Sequence, residues 1–221
     1  AAHPDSLDSH RALADMLRRQ GNFADAVGEY DKALALLGPP KPGDWAMVYA
    51  RAIALYESGH WPEAEAAFKQ ALELNPNQPQ VLNYLGYSYV DRGENLDEAL
   101  KMIQRAVLAS PDSGYIVDSL AWALFRLGRY REAVVPMERA SLLMPVDPVV
   151  TDHLGDVYWS VGRKMEARFQ WRRALSFGPE EADAARIRHK LDVGLDQVLK
   201  EEAVPKAPDA PAADPTAPAV P

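Results

Sequence analysis

Residues 114–147 read GYIVDSLAWALFRLGRYREAVVPMERASLLMPVD, and residues 148–181 read PVVTDHLGDVYWSVGRKMEARFQWRRALSFGPEE. Laid over each other without a gap, the two 34-residue stretches agree at five kinds of place. A small residue comes eighth (Ala121, Gly155) and a glycine fifteenth (Gly128, Gly162). Alanines come twentieth (Ala133, Ala167) and twenty-seventh (Ala140, Ala174), and a proline thirty-second (Pro145, Pro179). A fixed period of this length is the signature of a repeat architecture, and it is tested before anything else.

Working outward, the glycine recurs at Gly21, Gly59, Gly93, Gly128 and Gly162, with gaps of 38, 34, 35 and 34. The small residue before it recurs as Ala14, Ala52, Gly86, Ala121 and Gly155. The alanines after it recur as Ala26, Ala64 and Ala99, then as Ala33, Ala71 and Ala106, ahead of the pairs already named. A bulky residue lies between each pair of alanines: Tyr30, Phe68, Ile103, Met137 and Trp171. Four units end at Pro76, Pro111, Pro145 and Pro179, while the first has Gly38-Pro39-Pro40. Small residues suit the crossing of two antiparallel helices, and the bulky residue is expected to fill the space between one unit and the next. The glycine accepts the left-handed conformation that ends a first helix. The proline stops a second helix, because it lacks a donor and clashes with the preceding turn.

The pattern resembles the tetratricopeptide repeat (TPR) family over residues 7–181. It implies an all-α, right-handed superhelical solenoid of five helix pairs, in units 7–40, 45–78, 79–113, 114–147 and 148–181. The helices are expected at 7–20 and 24–37, 45–58 and 62–74, 80–92 and 96–109, 114–127 and 131–144, and 148–161 and 165–177. Pro62 suits a first helical turn. Pro136 falls inside a helix and should kink it or break one bond. Lys41-Pro42-Gly43-Asp44 and one residue of Glu94-Asn95-Leu96 are additions to the period, expected as surface insertions.

Ile187, Leu191, Leu195 and Val198 share one helical face, so a single capping helix is expected over 182–202, with Gly194 inside it at a cost of about 1 kcal/mol. Residues 203–221 are almost only Ala, Pro, Asp and Val, a composition expected to stay disordered. At the other end the chain opens on Ala1 rather than Met, and Pro4 stands where the closing proline of a preceding unit would fall. Residues 1–6 therefore read as the end of a truncated upstream repeat.

Composition sets bounds on function. Hydrophobic residues at 48% and charged residues at 25% are ordinary globular values. A net charge of −8 argues against nucleic acid as a partner, since phosphates call for a basic face. The absence of cysteine removes disulfides, thiolate metal sites and a cysteine nucleophile. No apolar run reaches the ~20 residues of a membrane span, so no direct membrane insertion is expected of this segment. No secretory signal opens it. Ser119, His153 and Asp152 invite a catalytic triad, but no oxyanion loop accompanies them. Asp152, His153 and Asp156 invite a metal, but they sit on adjacent turns of one helix and read as a solvated face. No enzyme activity, cofactor or metal is expected.

In the family, the second, fifth, ninth, twelfth and thirteenth positions of each unit line the concave face. Carried over, they give a polar row of Asn83, Asp118 and Asp152 suited to an extended backbone. Beside it run Tyr49, Tyr56, Tyr87, Trp122, Phe125 and Trp159, expected to face solvent and so to mark an interaction surface. Ile53, Arg126 and Asp156 complete the expected groove. The two-carboxylate clamp of chaperone cofactors needs Lys at the fifth position and Asn at the ninth, and no unit has that pair. The runs Leu85-Gly86-Tyr87-Ser88, Asp91-Arg92-Gly93, Val117-Asp118-Ser119-Leu120-Ala121-Trp122 and Asp152-His153-Leu154-Gly155-Asp156 resemble the C-terminal part of large bacterial cell-envelope TPR proteins and lipoproteins. One such group serves as adaptor for a carboxyl-terminal processing protease. That resemblance implies the periplasm or an outer-membrane tether, with the cytoplasm as the alternative. The resulting expectation is a binding scaffold for a protein or extended peptide. The alternative is an assembly element that packs on its own upstream repeats or self-associates.

Overall fold

The computed structural model describes residues 5–203 of the chain. Pro4 and the Ala/Pro-rich segment from 204 onward lie outside the described residues. Ten helices form five antiparallel pairs: α1 (Leu7–Arg19) with α2 (Phe23–Leu37), α3 (Trp45–Glu57) with α4 (Trp61–Leu74), α5 (Pro79–Arg92) with α6 (Leu96–Ala109), α7 (Gly114–Arg126) with α8 (Tyr130–Leu143), and α9 (Pro148–Ser160) with α10 (Lys164–Ser176). Then come α11 (Glu181–Val193) and α12 (Leu195–Ala203). No strand occurs among the described residues. Starts and stops follow local chemistry. The Ser6 hydroxyl accepts from the Ser9 amide at the start of α1, and the Asp147 carboxylate accepts from the Val150 amide at the start of α9. The recurring glycine carries φ between 67° and 88° in all five units.

Within a pair, the small residue and the bulky one meet. A Cβ built on Gly155 would stand 2.4 Å from the Trp171 ring, and one on Gly86 would stand 2.7 Å from Ile103. Tyr30, Phe68, Ile103, Met137 and Trp171 are all fully buried. Ile103 and Trp171 thus pack into the crossing of their own pair, and two of the bulky residues also reach the next element, Phe68 stacking on Tyr84 at 5.2 Å and Trp171 lying under Lys190 of α11 at 5.4 Å. An arginine at an equivalent place in three units also ties successive units together. Arg105 donates to the Pro76 carbonyl at 2.9 Å and Arg173 to the Pro145 carbonyl at 2.6 Å, and Arg139 reaches Asp112 at 3.0 Å.

The departures from the period have local causes. Lys41-Pro42-Gly43-Asp44 forms a 3₁₀ turn closed by the Lys41 amide on the Asp44 carboxylate. The extra residue in the third unit is absorbed by Asn95 at φ 47°, a conformation asparagine tolerates better than most residues. The same turn brings Glu94 onto the indole N–H of Trp61 at 3.2 Å. α8 runs unbroken through Pro136, so the proline costs the one bond that its missing N–H would have made to the carbonyl of Glu132. The single capping helix is a second correction. Gly194 adopts φ 85°, ψ 156°, a region open almost only to glycine, and splits the segment into α11 and the returning α12.

Candidate functional site

α1, α3, α5, α7, α9 and α11 supply the concave face, and two clefts open along it. The first, about 320 Å³, is lined by Arg11, Asp15 and Arg18 of α1, Tyr30 of α2, and Tyr49 and Ile53 of α3. Asp15 accepts from the Tyr30 hydroxyl at 2.6 Å, and Arg18 donates to the same hydroxyl at 3.2 Å. The second, about 350 Å³, lies between Tyr87 of α5, Trp122 of α7, Val149, Asp152 and His153 of α9, and Asp183 of α11.

Between the clefts the aromatic row packs on itself. Tyr84 is its hub: edge-on to Tyr49 at 6.1 Å and to Tyr56 at 5.8 Å, and stacked on Phe68 at 5.2 Å. Its hydroxyl donates to Glu57, and that of Tyr56 donates to Asp91. Tyr49 and Tyr56 are therefore half-buried in the joint between the second and third units. Trp122 is also half-buried, with Phe125 stacked on it at 4.7 Å and the His153 ring at 3.9 Å.

Two expected groove aromatics do not face solvent. Phe125 is buried, and Trp159 is 9% exposed. Trp159 lies under the elbow of the last two helices. Its indole N–H donates to Asp196 at 3.0 Å, a Cβ on Gly194 would meet its ring at 2.5 Å, and Lys164 sits 3.7 Å over its face. Asp156 is likewise enclosed, accepting from Trp171 at 2.8 Å and from Lys190 at 2.7 Å. For Trp159 the cause is the return of α12, which a single straight helix would not have produced; Asp156 is covered by α10 and α11, and Phe125 packs between Trp122 and Tyr130. Arg126 is exposed at the end of α7.

The polar row is largely spent inside the molecule. His153 Nδ1 donates to both oxygens of Asp118, at 3.0 and 3.2 Å. Burial pulls the imidazole pKa down, but Asp118, with Asp152 and Asp156 behind it, outweighs burial and leaves the pKa above its ordinary value. Asp152 accepts from the buried Lys190 ammonium through both oxygens at 2.6 Å. Burial first, and the Asp156 charge second, hold the Asp152 carboxyl above the usual range against the pull of Lys190. Asn83 alone keeps an open group, a buried Oδ1 with no partner among the described residues. The triad grouping does not assemble, because the Ser119 hydroxyl donates to the Tyr115 carbonyl and His153 to Asp118. The metal grouping is filled by a lysine.

Lys190 and Arg186 escaped the sequence reading although the period points to them. Each lies 34 residues beyond its carboxylate partner, Asp156 and Asp152, at the places a sixth unit would assign. No helix among the described residues is long and apolar enough to cross a membrane.

Known proteins with similar sequences or folds agree with this architecture. Over 92 residues the chain is 31% identical to the TPR repeat-containing protein PA4667 of Pseudomonas aeruginosa, covering 42% of this chain and 16% of that one. Over 112 residues it is 34% identical to the cytochrome c-type biogenesis protein CycH of Rhizobium meliloti, covering 50% of this chain and 29% of that one. The chain thus spans less than a third of either relative. Among solved structures, PilF of Pseudomonas aeruginosa superposes with a TM-score of 0.69 at 18% identity, over 89% of this chain and 85% of that one. MamA of Desulfovibrio magneticus RS-1 superposes with a TM-score of 0.66 at 19% identity, over 80% and 97% respectively. Family models for the tetratricopeptide repeat match residues 5–77, 49–114 and 88–142; together these span more than half of the sequence, and the chain belongs to the tetratricopeptide repeat family.

Proposed function

We propose that the chain is a non-catalytic scaffold that holds an extended segment of a partner protein against its concave face. TPR proteins generally mediate protein–protein interaction and assembly, and the neighbouring names include a biogenesis protein. The observation that carries the reading is apolar surface left open beside the second cleft. Val149, 46% exposed, lines it over Tyr87 and Trp122, and Tyr115, 48% exposed, holds the equivalent position of α7. Exposed aromatic and aliphatic groups next to a concavity are the usual anchors of recognition. The envelope resemblance of residues 80–175 makes an exported assembly or protease-adaptor complex the setting we favour. The test is selection of binding peptides from a random library on the full chain. Peptides so obtained should lose at least about tenfold in affinity, ~1.4 kcal/mol, on the Val149→Asp, Tyr115→Asp double variant with its helicity intact. Undiminished binding to that variant would contradict the reading.

One observation favours a second reading, an assembly element. Leu13 and Met16 on α1 are 38% and 44% exposed, yet the equivalent Leu85, Leu154, Ala54 and Val157 are buried between units. α1 thus presents a stacking face without an occupant among the described residues. If a second copy covers it, sedimentation should show a dimer that Leu13→Glu, Met16→Glu converts to a monomer. A monomer before and after substitution removes self-association.

A further inference from the structure

The cleft between α5, α7, α9 and α11 has an uneven charge balance, and its cations on α11 are already committed. Lys190 has three N–H donors, and all three are used, on Asp152 Oδ1, Asp152 Oδ2 and Asp156 Oδ1. Arg186 donates to Glu202 at 2.6 Å and stands 3.6 Å from Asp156 Oδ2. Asp183, one turn before Arg186 at the rim, is exposed and makes no hydrogen bond or ion pair among the described residues. Other carboxylates reinforce its sign. The Tyr87 hydroxyl is pushed up to about 12, by burial first and then by Asp91, Asp118 and Asp183, with Arg126 as the opposing cation. Two more polar walls, Asp152 and His153, are already paired with Lys190 and Asp118, and the rest are apolar: Trp122, Pro148, Val149, Pro179 and Ile187.

Resting on the reading of the concave face as a peptide groove, we propose that this cleft receives a lysine or arginine side chain of the bound partner segment, its methylene stem along Val149, Pro148 and Tyr87 and its cation against the Asp183 carboxylate. Long basic side chains combine an apolar stem with a charged head, which is the combination these walls and this rim offer. An acidic side chain in the same place would meet Asp183 with Lys190 and Arg186 already neutralised. Complementary potentials of this kind act mainly on which partner is accepted.

The test uses peptides selected from the random library on the full chain, measured by titration calorimetry at low salt. The inference expects Lys or Arg at one recurrent position among peptides that compete for the Val149 face. Replacing that residue by norleucine should weaken binding about tenfold and by Glu further. Asp183→Lys, an exposed site where folding is not at stake, should reverse the preference between Lys and Glu. Groove-binding peptides with no basic requirement, or a preference that survives Asp183→Lys, would overturn the inference and leave the groove reading standing. A library that yields no binder to this face would overturn both. Binders found only after removal of residues 204–221 would make this chain's own Val204-Pro205-Lys206 stretch the occupant, and would overturn the assignment to a partner.

Discussion

At the scale of single residues, two enclosed ion pairs, Asp118 with His153 and Asp152 with Lys190, take up carboxylates of the concave face. Ala14, Gly86, Trp171 and their equivalents announce themselves because sterics at a helix crossing admit few residue types. Asp118 and Asp152 look the same in sequence whether they wait for a ligand or hold His153 and Lys190, since their partners lie 35 and 38 residues away. These pairs make two predictions. His153 has a raised pKa in the fold, so its contribution is complete below its unfolded value near 6.5 and is lost as pH rises through the folded value. Thermal midpoints should therefore fall as pH rises above about 6.5 in the wild type, and fall less in His153→Gln; parallel curves would mean that the Asp118 pair carries no linkage. Lys190→Ala leaves two carboxylates facing each other without the ammonium. Breaking such a buried pair costs about 3–5 kcal/mol, to be read as a lowered urea midpoint. A loss below ~1 kcal/mol would show that Arg186 takes over.

At the scale of elements, the five helix pairs follow from the period, while the end of the solenoid depended on one backbone conformation. The heptad-like face of Ile187, Leu191, Leu195 and Val198 fits a straight helix as well as a hairpin. Nothing local in the sequence tells whether Gly194 is a tolerated helical glycine or an elbow. Space and backbone decide it: at φ 85°, ψ 156° a side chain is strained, and its Cβ would collide with Trp159. Gly194→Ala should destabilise the protein by about 1–3 kcal/mol, with a shifted Trp emission as α12 moves off the indole. Under the straight-helix alternative the same change would stabilise by about 1 kcal/mol, so the sign of the change in thermal midpoint separates the two. The inter-unit arginines behave differently. Arg139 pairs with a largely exposed Asp112, so Arg139→Ala should cost no more than about 1 kcal/mol by chemical denaturation.

At the scale of the whole molecule, stability and recognition divide the same surface. The end of the concave face is closed by α11 and α12, which take up Asp152, Asp156 and Trp159 for folding. The stretch from Tyr87 to Val149 keeps open apolar area and an unmatched carboxylate at Asp183. The central claim, that this stretch holds a partner's extended segment, is tested most directly by amide chemical-shift mapping of the full isotope-labelled chain against a selected peptide. Perturbations should cluster on Tyr87, Tyr115, Val149, Asp152 and Asp183, with α1 and the outward faces of α8 and α10 unmoved. Perturbations confined to the Leu13–Met16 face or to the outward helices, with the cleft silent, would contradict it.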